Sequence, residues 1–175
     1  MNTIVMKFGG TSVASHEKLK NIAEIVIREV KNYKIIVVLS AMAGETNKLQ
    51  SYLDEFGSQN SIESDLVLTS GEQVSIGLLS IALKKEGINS LPLLGWQVPI
   101  ITDDNHEKAK ILQIDKKRIN EYFSNYDVIV LAGFQGINLT GQITSLGRGG
   151  SDTTAVAIAS AIDAERCDIY TDVEG

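Results

Sequence analysis

Two short runs, Ile35-Ile-Val-Val-Leu39 and Val128-Ile-Val-Leu131, are apolar at every position and mostly β-branched. A strand with one wet face alternates apolar and polar residues, so a run without alternation has both faces covered. Helices on both sides of a parallel sheet meet that condition. Segments with helical spacing separate the runs. Leu19, Ile22, Ala23, Val26 and Val30 recur every three or four positions behind Ser15, a good N-cap. Val74, Leu78, Ile81 and Ala82 form a second stripe, with Gly87 placed to end the helix as a C′ residue. Ser151 opens a third helix, rich in small residues through Ile162. Ile4, Met6 and Phe8 mark a further strand, and residues 168–171 a weaker one. Residues 91–94 and 99–102 are shorter candidates, each with a proline that favours an edge or a strand start. This alternation predicts a three-layer α/β/α sandwich with a mainly parallel central sheet. Residues 58–64, the most polar stretch, are expected to form a loop. The chain stops at Thr171-Asp-Val-Glu-Gly175, just after a strand, where parallel sheets place their sites. A sheet truncated on its C-terminal side is therefore expected.

The 175 residues suffice for one domain with a real core, and no repeat or linker divides them. A net charge of -6 argues against nucleic acid or a membrane surface as partner, since either needs a basic patch. No stretch is expected to reach the roughly 20 apolar residues of a membrane span. One cysteine, Cys167, permits no disulfide framework within the chain, and it is expected to be a buried structural thiol. A cytoplasmic location is expected on that ground. His16 and His106 have no His or Cys at ligand spacing, so a zinc site is not expected.

An acidic chain that binds an anion must concentrate its few cations. Lys7-Phe-Gly-Gly-Thr-Ser12 puts a cation, two glycines and two hydroxyls where a buried strand surfaces. Glycines recur at Gly133 to Gly136 and at Gly147-Arg-Gly-Gly-Ser-Asp152, the last opening a helix. Backbone N–H groups and the helix dipole there favour an anion. Lys7 and Arg148 are the cations within these turns, and together the turns suit a phosphorylated ligand. A Walker-type phosphate loop is absent, and Asp152 stands where a dinucleotide fingerprint needs its third glycine.

Lys7-Phe-Gly-Gly-Thr-Ser-Val13 resembles the opening signature of aspartate kinases, within the amino-acid kinase family. Leu39-Ser-Ala-Met-Ala-Gly-Glu-Thr-Asn-Lys-Leu49, Ser70-Gly-Glu72 before Val74-Ser75, Gly95-Trp-Gln97 with Ile101-Thr-Asp103, Gly133-Phe-Gln-Gly136, Leu146 to Asp152 and Tyr170-Thr-Asp-Val173 continue the resemblance in order. It covers essentially the whole chain. The resemblance implies transfer of the γ-phosphoryl of MgATP to the side-chain carboxylate of L-aspartate, the first step towards lysine, methionine and threonine. A carboxylate nucleophile, with a pKa of about 4, is already ionised at neutral pH and needs no general base.

By the same resemblance, Lys7 and Asp152 are catalytic: Lys7 neutralises the transferring phosphoryl, and Asp152 orients Lys7 and organises the metal–phosphate site. Lys7, Phe8, Gly9, Gly10, Ser12, Thr171 and Asp172 are implied to hold ATP, with Mg2+ carried by its phosphates and no protein ligand assigned to the metal. Ser40, Thr46, Glu72, Phe134, Arg148, Gly149 and Ser151 are implied to bind L-aspartate, with Arg148 on the α-carboxylate and Glu72 on the α-ammonium. Position 174 is Glu where the family usually has Asp. The family's catalytic domain continues past this point into further ATP contacts and regulatory domains. Residues 1–175 are therefore expected to be the N-terminal portion of that domain, inactive alone, from a protein that is homo-oligomeric at full length. A glutamate-type kinase and a non-catalytic ligand-binding module on the same fold are the alternatives.

Overall fold

In a computed structural model, which describes residues 2–171, the all-apolar runs form neighbouring central strands. The elements are β1 (Thr3–Phe8), α1 (His16–Glu29), β2 (Lys34–Leu39), α2 (Glu45–Phe56), α3 (Ile62–Leu68), α4 (Gly71–Lys85), β3 (Ser90–Leu93), β4 (Ile100–Thr102), β5 (Ile111–Ile114), α5 (Lys116–Phe123), β6 (Val128–Ala132), β7 (Gln135–Ile137), β8 (Ile143–Ser145), α6 (Gly150–Ala161) and β9 (Arg166–Tyr170). Five strands form an all-parallel sheet in the order β3-β6-β2-β1-β9. The two-residue period of a strand divides the runs between two cores. Ile35, Val37, Leu39, Val128 and Val130 face α1 and α4. Ile36, Val38, Ile129 and Leu131 face Ile119 of α5 and Ala155 and Ile158 of α6. Both faces are covered, as the absence of alternation required.

Local signals hold at several ends. Ser15 Oγ accepts the Lys18 N–H at 3.2 Å and caps α1. Gly87 takes φ 78° and lets Ile88 N–H reach the Leu83 carbonyl at 3.0 Å, closing α4.

Other expectations are corrected. In α4 the stripe Val74, Leu78 and Ile81 is 40–55% exposed, and Ile76, Leu79 and Leu83 are buried instead. Both sets have helical spacing, and the buried one brings Glu72, Ser75 and Ser80 inward, each hydrogen-bonded. Residues 62–64 are not loop. Ser61 and Ser64 form a reciprocal capping box that starts α3. β4 does not join the main sheet; it lies in a second, four-stranded sheet of order β5-β4-β7-β8, three of whose strands carried no visible pattern. Ile62–Lys85 is long and apolar enough to cross a membrane by length and composition, against the expectation that no stretch would be. Half of it is buried in this fold, with its polar groups turned inward, as in a core helix. Cys167 is half-buried in β9, and burial first, then the nearby Asp168 and Asp152 charges, push its thiol pKa up.

Within the second sheet β7 runs tightly beside β4 at Gly136, where an added Cβ would lie 2.6 Å from the Ile100 carbonyl oxygen. Gly77, inside α4, has nothing within 4 Å of that position. Gly136→Ala is expected to destabilise by about 3 kcal/mol through overpacking. Gly77→Ala is expected to stabilise by about 1 kcal/mol through helix propensity. Urea unfolding midpoints check both; a midpoint for Gly136→Ala at or above that of the parent would show that β4 and β7 yield there.

Candidate active site

Phe8 pairs with Leu39, and Leu39 with Ala132, so the carboxyl ends of β1, β2 and β6 lie side by side. The turns that follow converge at the edge where parallel sheets bind ligands. Ser40 N–H donates to the Phe8 carbonyl at 3.3 Å, and Gly133 N–H to the Leu39 carbonyl at 2.9 Å. One cleft of about 420 Å³ opens there, within the size range of small-molecule sites.

The cleft brings together Lys7, Ser40, Thr46, Glu72, Phe134, Arg148, Gly149, Ser151 and Asp152 from seven different elements or turns. Lys7 Nζ lies 2.7 Å from Asp152 Oδ1, in the first turn of α6. The lysine is 11% exposed and the aspartate 50%, so the pair presents its acid to solvent. Ser40 Oγ donates to Ser151 Oγ at 3.0 Å, joining the β2 end to α6. Arg148 stands between Gly147 (φ 77°) and Gly149 (φ 74°), a turn that glycine permits without strain. It is exposed and forms no ion pair among the described residues. Phe134 also takes a left-handed conformation, φ 69°. Thr154 Oγ1 accepts its N–H at 3.1 Å, its carbonyl accepts the Leu146 N–H at 2.9 Å, and the ring lies against Gly150.

Glu72 is 2% exposed in the first turn of α4. Its Oε1 accepts the Ala41 N–H at 3.2 Å, and Oε2 has no hydrogen-bond partner among the described residues. Burial raises its pKa from an ordinary 4.5 to about 7, with hydrogen bonds from the Glu72 and Ala41 N–H groups offsetting part of that rise. The folded protein therefore holds this proton more tightly than the unfolded chain. Stability from Glu72 is fully present below pH 4.5 and is lost as the pH rises through about 7, an effect of about 3 kcal/mol. A bound cation would reverse the sign by favouring the carboxylate.

The residues expected to hold ATP are less uniformly placed. Phe8 is a core side chain, 2% exposed and stacked on Tyr170 with ring centroids 4.3 Å apart. An added Cβ at Gly10 would lie 2.9 Å from the Ala41 carbonyl oxygen, so its smallness serves backbone packing as well as any ligand. Gly9 precedes a 3-10 turn, its carbonyl accepting the Ser12 N–H at 3.0 Å, and an added Cβ there would lie 3.5 Å from Lys7 Nζ. Ser12 and Thr171 line a separate cleft with Phe8 and Tyr170. Asp172, like position 174, lies outside the described residues. The cleft also includes Gln50, Leu68, Glu107 and Ser145, none of which carried a readable signal. Gly147 and Gly150 lay within a motif already noted.

The amino acid kinase family matches residues 2–175. Among curated relatives, the aspartokinase of Rickettsia bellii is 49% identical over 180 residues, spanning all of this chain and 44% of that one. The aspartokinase of Geobacillus stearothermophilus is 48% identical over 177 residues, again with 44% of its length covered. The chain thus spans less than half the length of these relatives. Among solved structures, the aspartate kinase of Synechocystis superposes with a TM-score of 0.85 at 40% identity, covering 99% of this chain and 28% of that one. E. coli aspartokinase III, crystallised with aspartate and ADP, gives 0.82 at 27% identity, covering 99% and 50%. An isopentenyl phosphate kinase shares the fold, with a TM-score of 0.65 at 19% identity.

Proposed function

Because the chain belongs to the amino acid kinase family, we propose that its cleft is the amino-acid side of an aspartate kinase active site. The observation that carries this reading is one cleft lined by Lys7, Arg148 and a buried Glu72 whose Oε2 has no hydrogen-bond partner among the described residues. An α-amino acid supplies what those groups lack: an ammonium for Glu72 and a carboxylate for the Arg148 fork. In the reaction, an oxygen of the substrate's side-chain carboxylate bonds to the γ-phosphorus of ATP as the bond to the ADP oxygen breaks. No proton moves. Lys7 offsets the negative charge that gathers on the transferring group, and Asp152 holds the ammonium in place. The half-exposed Asp152 carboxylate beside Lys7 also fits a magnesium ion carried on the triphosphate, where the metal would neutralise phosphate charge. With relatives more than twice its length, residues 1–175 read as the N-terminal portion of the catalytic domain.

The test is ATP turnover by the full chain, of which residues 1–175 are read as this N-terminal portion, with hydroxylamine present to trap an acyl phosphate. L-Aspartate is expected to yield its hydroxamate and ADP in equal amounts, and L-glutamate to yield neither. Glutamate hydroxamate would move the assignment to a glutamate-type kinase. Binding without any product would leave a ligand-binding module.

Glu72 adds a signature that turnover does not. Near pH 6.5 most of it is protonated in the free site, given its pKa of about 7. An ammonium ligand needs the ionised form. L-Aspartate binding at that pH is expected to release most of a proton, read as a dependence of calorimetric heat on buffer ionisation enthalpy. Glu72→Gln is expected to remove that dependence. Equal heats in all buffers for the parent would separate Glu72 from the ammonium.

A further inference from the structure

Three donors converge on the fully buried carboxylate of Asp65, in α3, which has no part in the chemistry above. Its Oδ2 lies 2.6 Å from His106 Nδ1. Its Oδ1 accepts the Glu107 N–H at 3.0 Å and the Ser145 hydroxyl at 2.5 Å. No lysine or arginine pairs with it among the described residues. Burying a carboxylate this way is costly unless its lone pairs are all bonded, and here the bonds gather two separate segments. His106 and Glu107 belong to the loop between β4 and β5, and Ser145 ends β8.

Those segments also hold each other. Ala109 N–H donates to the Ser145 carbonyl at 2.9 Å, and an added Cβ at Gly147 would lie 2.9 Å from the Glu107 carbonyl oxygen. Glu107 sits at φ 61°, a conformation that non-glycine residues keep only where their surroundings over-determine it. Its own carboxylate accepts the Asn60 N–H at 2.5 Å, on the approach to α3. The next residue after Gly147 is Arg148. Seven residues after Asp65, along the same helical run Ile62–Lys85, is Glu72.

We propose that Asp65 is a positioning residue for the amino-acid substrate. By clamping the 103–109 loop and the end of β8 to α3, it sets the Arg148 turn at a fixed distance from Glu72. The inference rests on reading Arg148 and Glu72 as the two substrate poles. The groups they bind are attached to one carbon atom, so the tolerance is small; an error of about 1 Å can cost about 100-fold.

The test is steady-state kinetics of the full chain. Asp65→Ala is expected to raise KM for L-aspartate about tenfold or more while KM for ATP stays within about twofold. Asp65→Asn is expected to recover most of the loss. Its amide oxygen can accept from Glu107 and Ser145, and its amide nitrogen can donate to a neutral His106. Ser80→Ala breaks another buried polar pair, the 2.9 Å contact with Ser90, and is expected to lower Tm without moving KM for aspartate. If Asp65→Ala does not fold, His106→Ala removes one donor and is expected to raise the same KM about threefold. Equal rises in both KM values, an unchanged aspartate KM, or a matching effect in Ser80→Ala would each overturn the inference. Arg148→Ala, run alongside, separates the two levels. If it leaves the aspartate KM unchanged, the substrate poles are wrongly assigned. If it raises that KM and Asp65→Ala does not, only the positioning role fails.

Discussion

Lys7→Met is expected to lower kcat of the full chain by about 10³ while leaving KM for L-aspartate within a few-fold of the parent. The ammonium lies 2.7 Å from Asp152 in the cleft, 11% exposed, where surrounding protein screens it less than water would. Both reactants are anions there, and their repulsion grows as they approach. A charge fixed before the reaction requires no reorganisation during it, so its loss falls on the transition state and not on substrate binding. The fold itself should tolerate the change. Methionine has a similar length and keeps the apolar stem of the side chain, and Asp152 is half-exposed. Single-turnover rates at saturating aspartate and ATP make the measurement. A kcat within about tenfold of the parent would show that another group carries the charge.

Arg148→Ala is expected to raise KM for L-aspartate by about 100-fold, with Tm unchanged and ATP binding preserved. Arg148 is exposed, forms no ion pair among the described residues, and sits between two left-handed glycines that hold its backbone without help from the side chain. Its removal therefore leaves no buried group unpaired. What is lost is a two-pronged contact to a carboxylate, and Arg148→Lys should restore only part of it, because an ammonium is a point charge and not a fork. Calorimetric titration of parent and variants with L-aspartate gives the affinities directly. Unchanged affinity in Arg148→Ala would place the substrate carboxylate elsewhere.

The parts of the site that could be read in advance share a property: each is a departure from what its element alone would choose. Lys7 ends an apolar strand, glycines crowd Arg148, and Asp152 opens a helix where a dinucleotide fold would have glycine. Glu72 was legible as a first-turn acid, but its burial was not, because α4 is apolar on more than one face and spacing cannot rank two stripes. The choice came from Ser75 and Glu72, which find backbone partners at Ser40 and Ala41 only when that face turns inward. Strands β5, β7 and β8 were invisible for a related reason. They are three or four residues long, too short to show a period. Ser145 enters the cleft from β8, and Glu107 from the loop that leads into β5.

The sequence by itself determined the layered α/β class, the parallel central strands and the turns that carry the cations, because burial on two faces and close backbone approach restrict residue type at each position separately. Only the tertiary structure decided which face of α4 is inside, that Glu72 keeps its proton up to about pH 7, and that Asp65 ties His106, Glu107 and Ser145 together. Those outcomes depend on desolvation and on donors brought from 41, 42 and 80 positions away, and no local pattern records them.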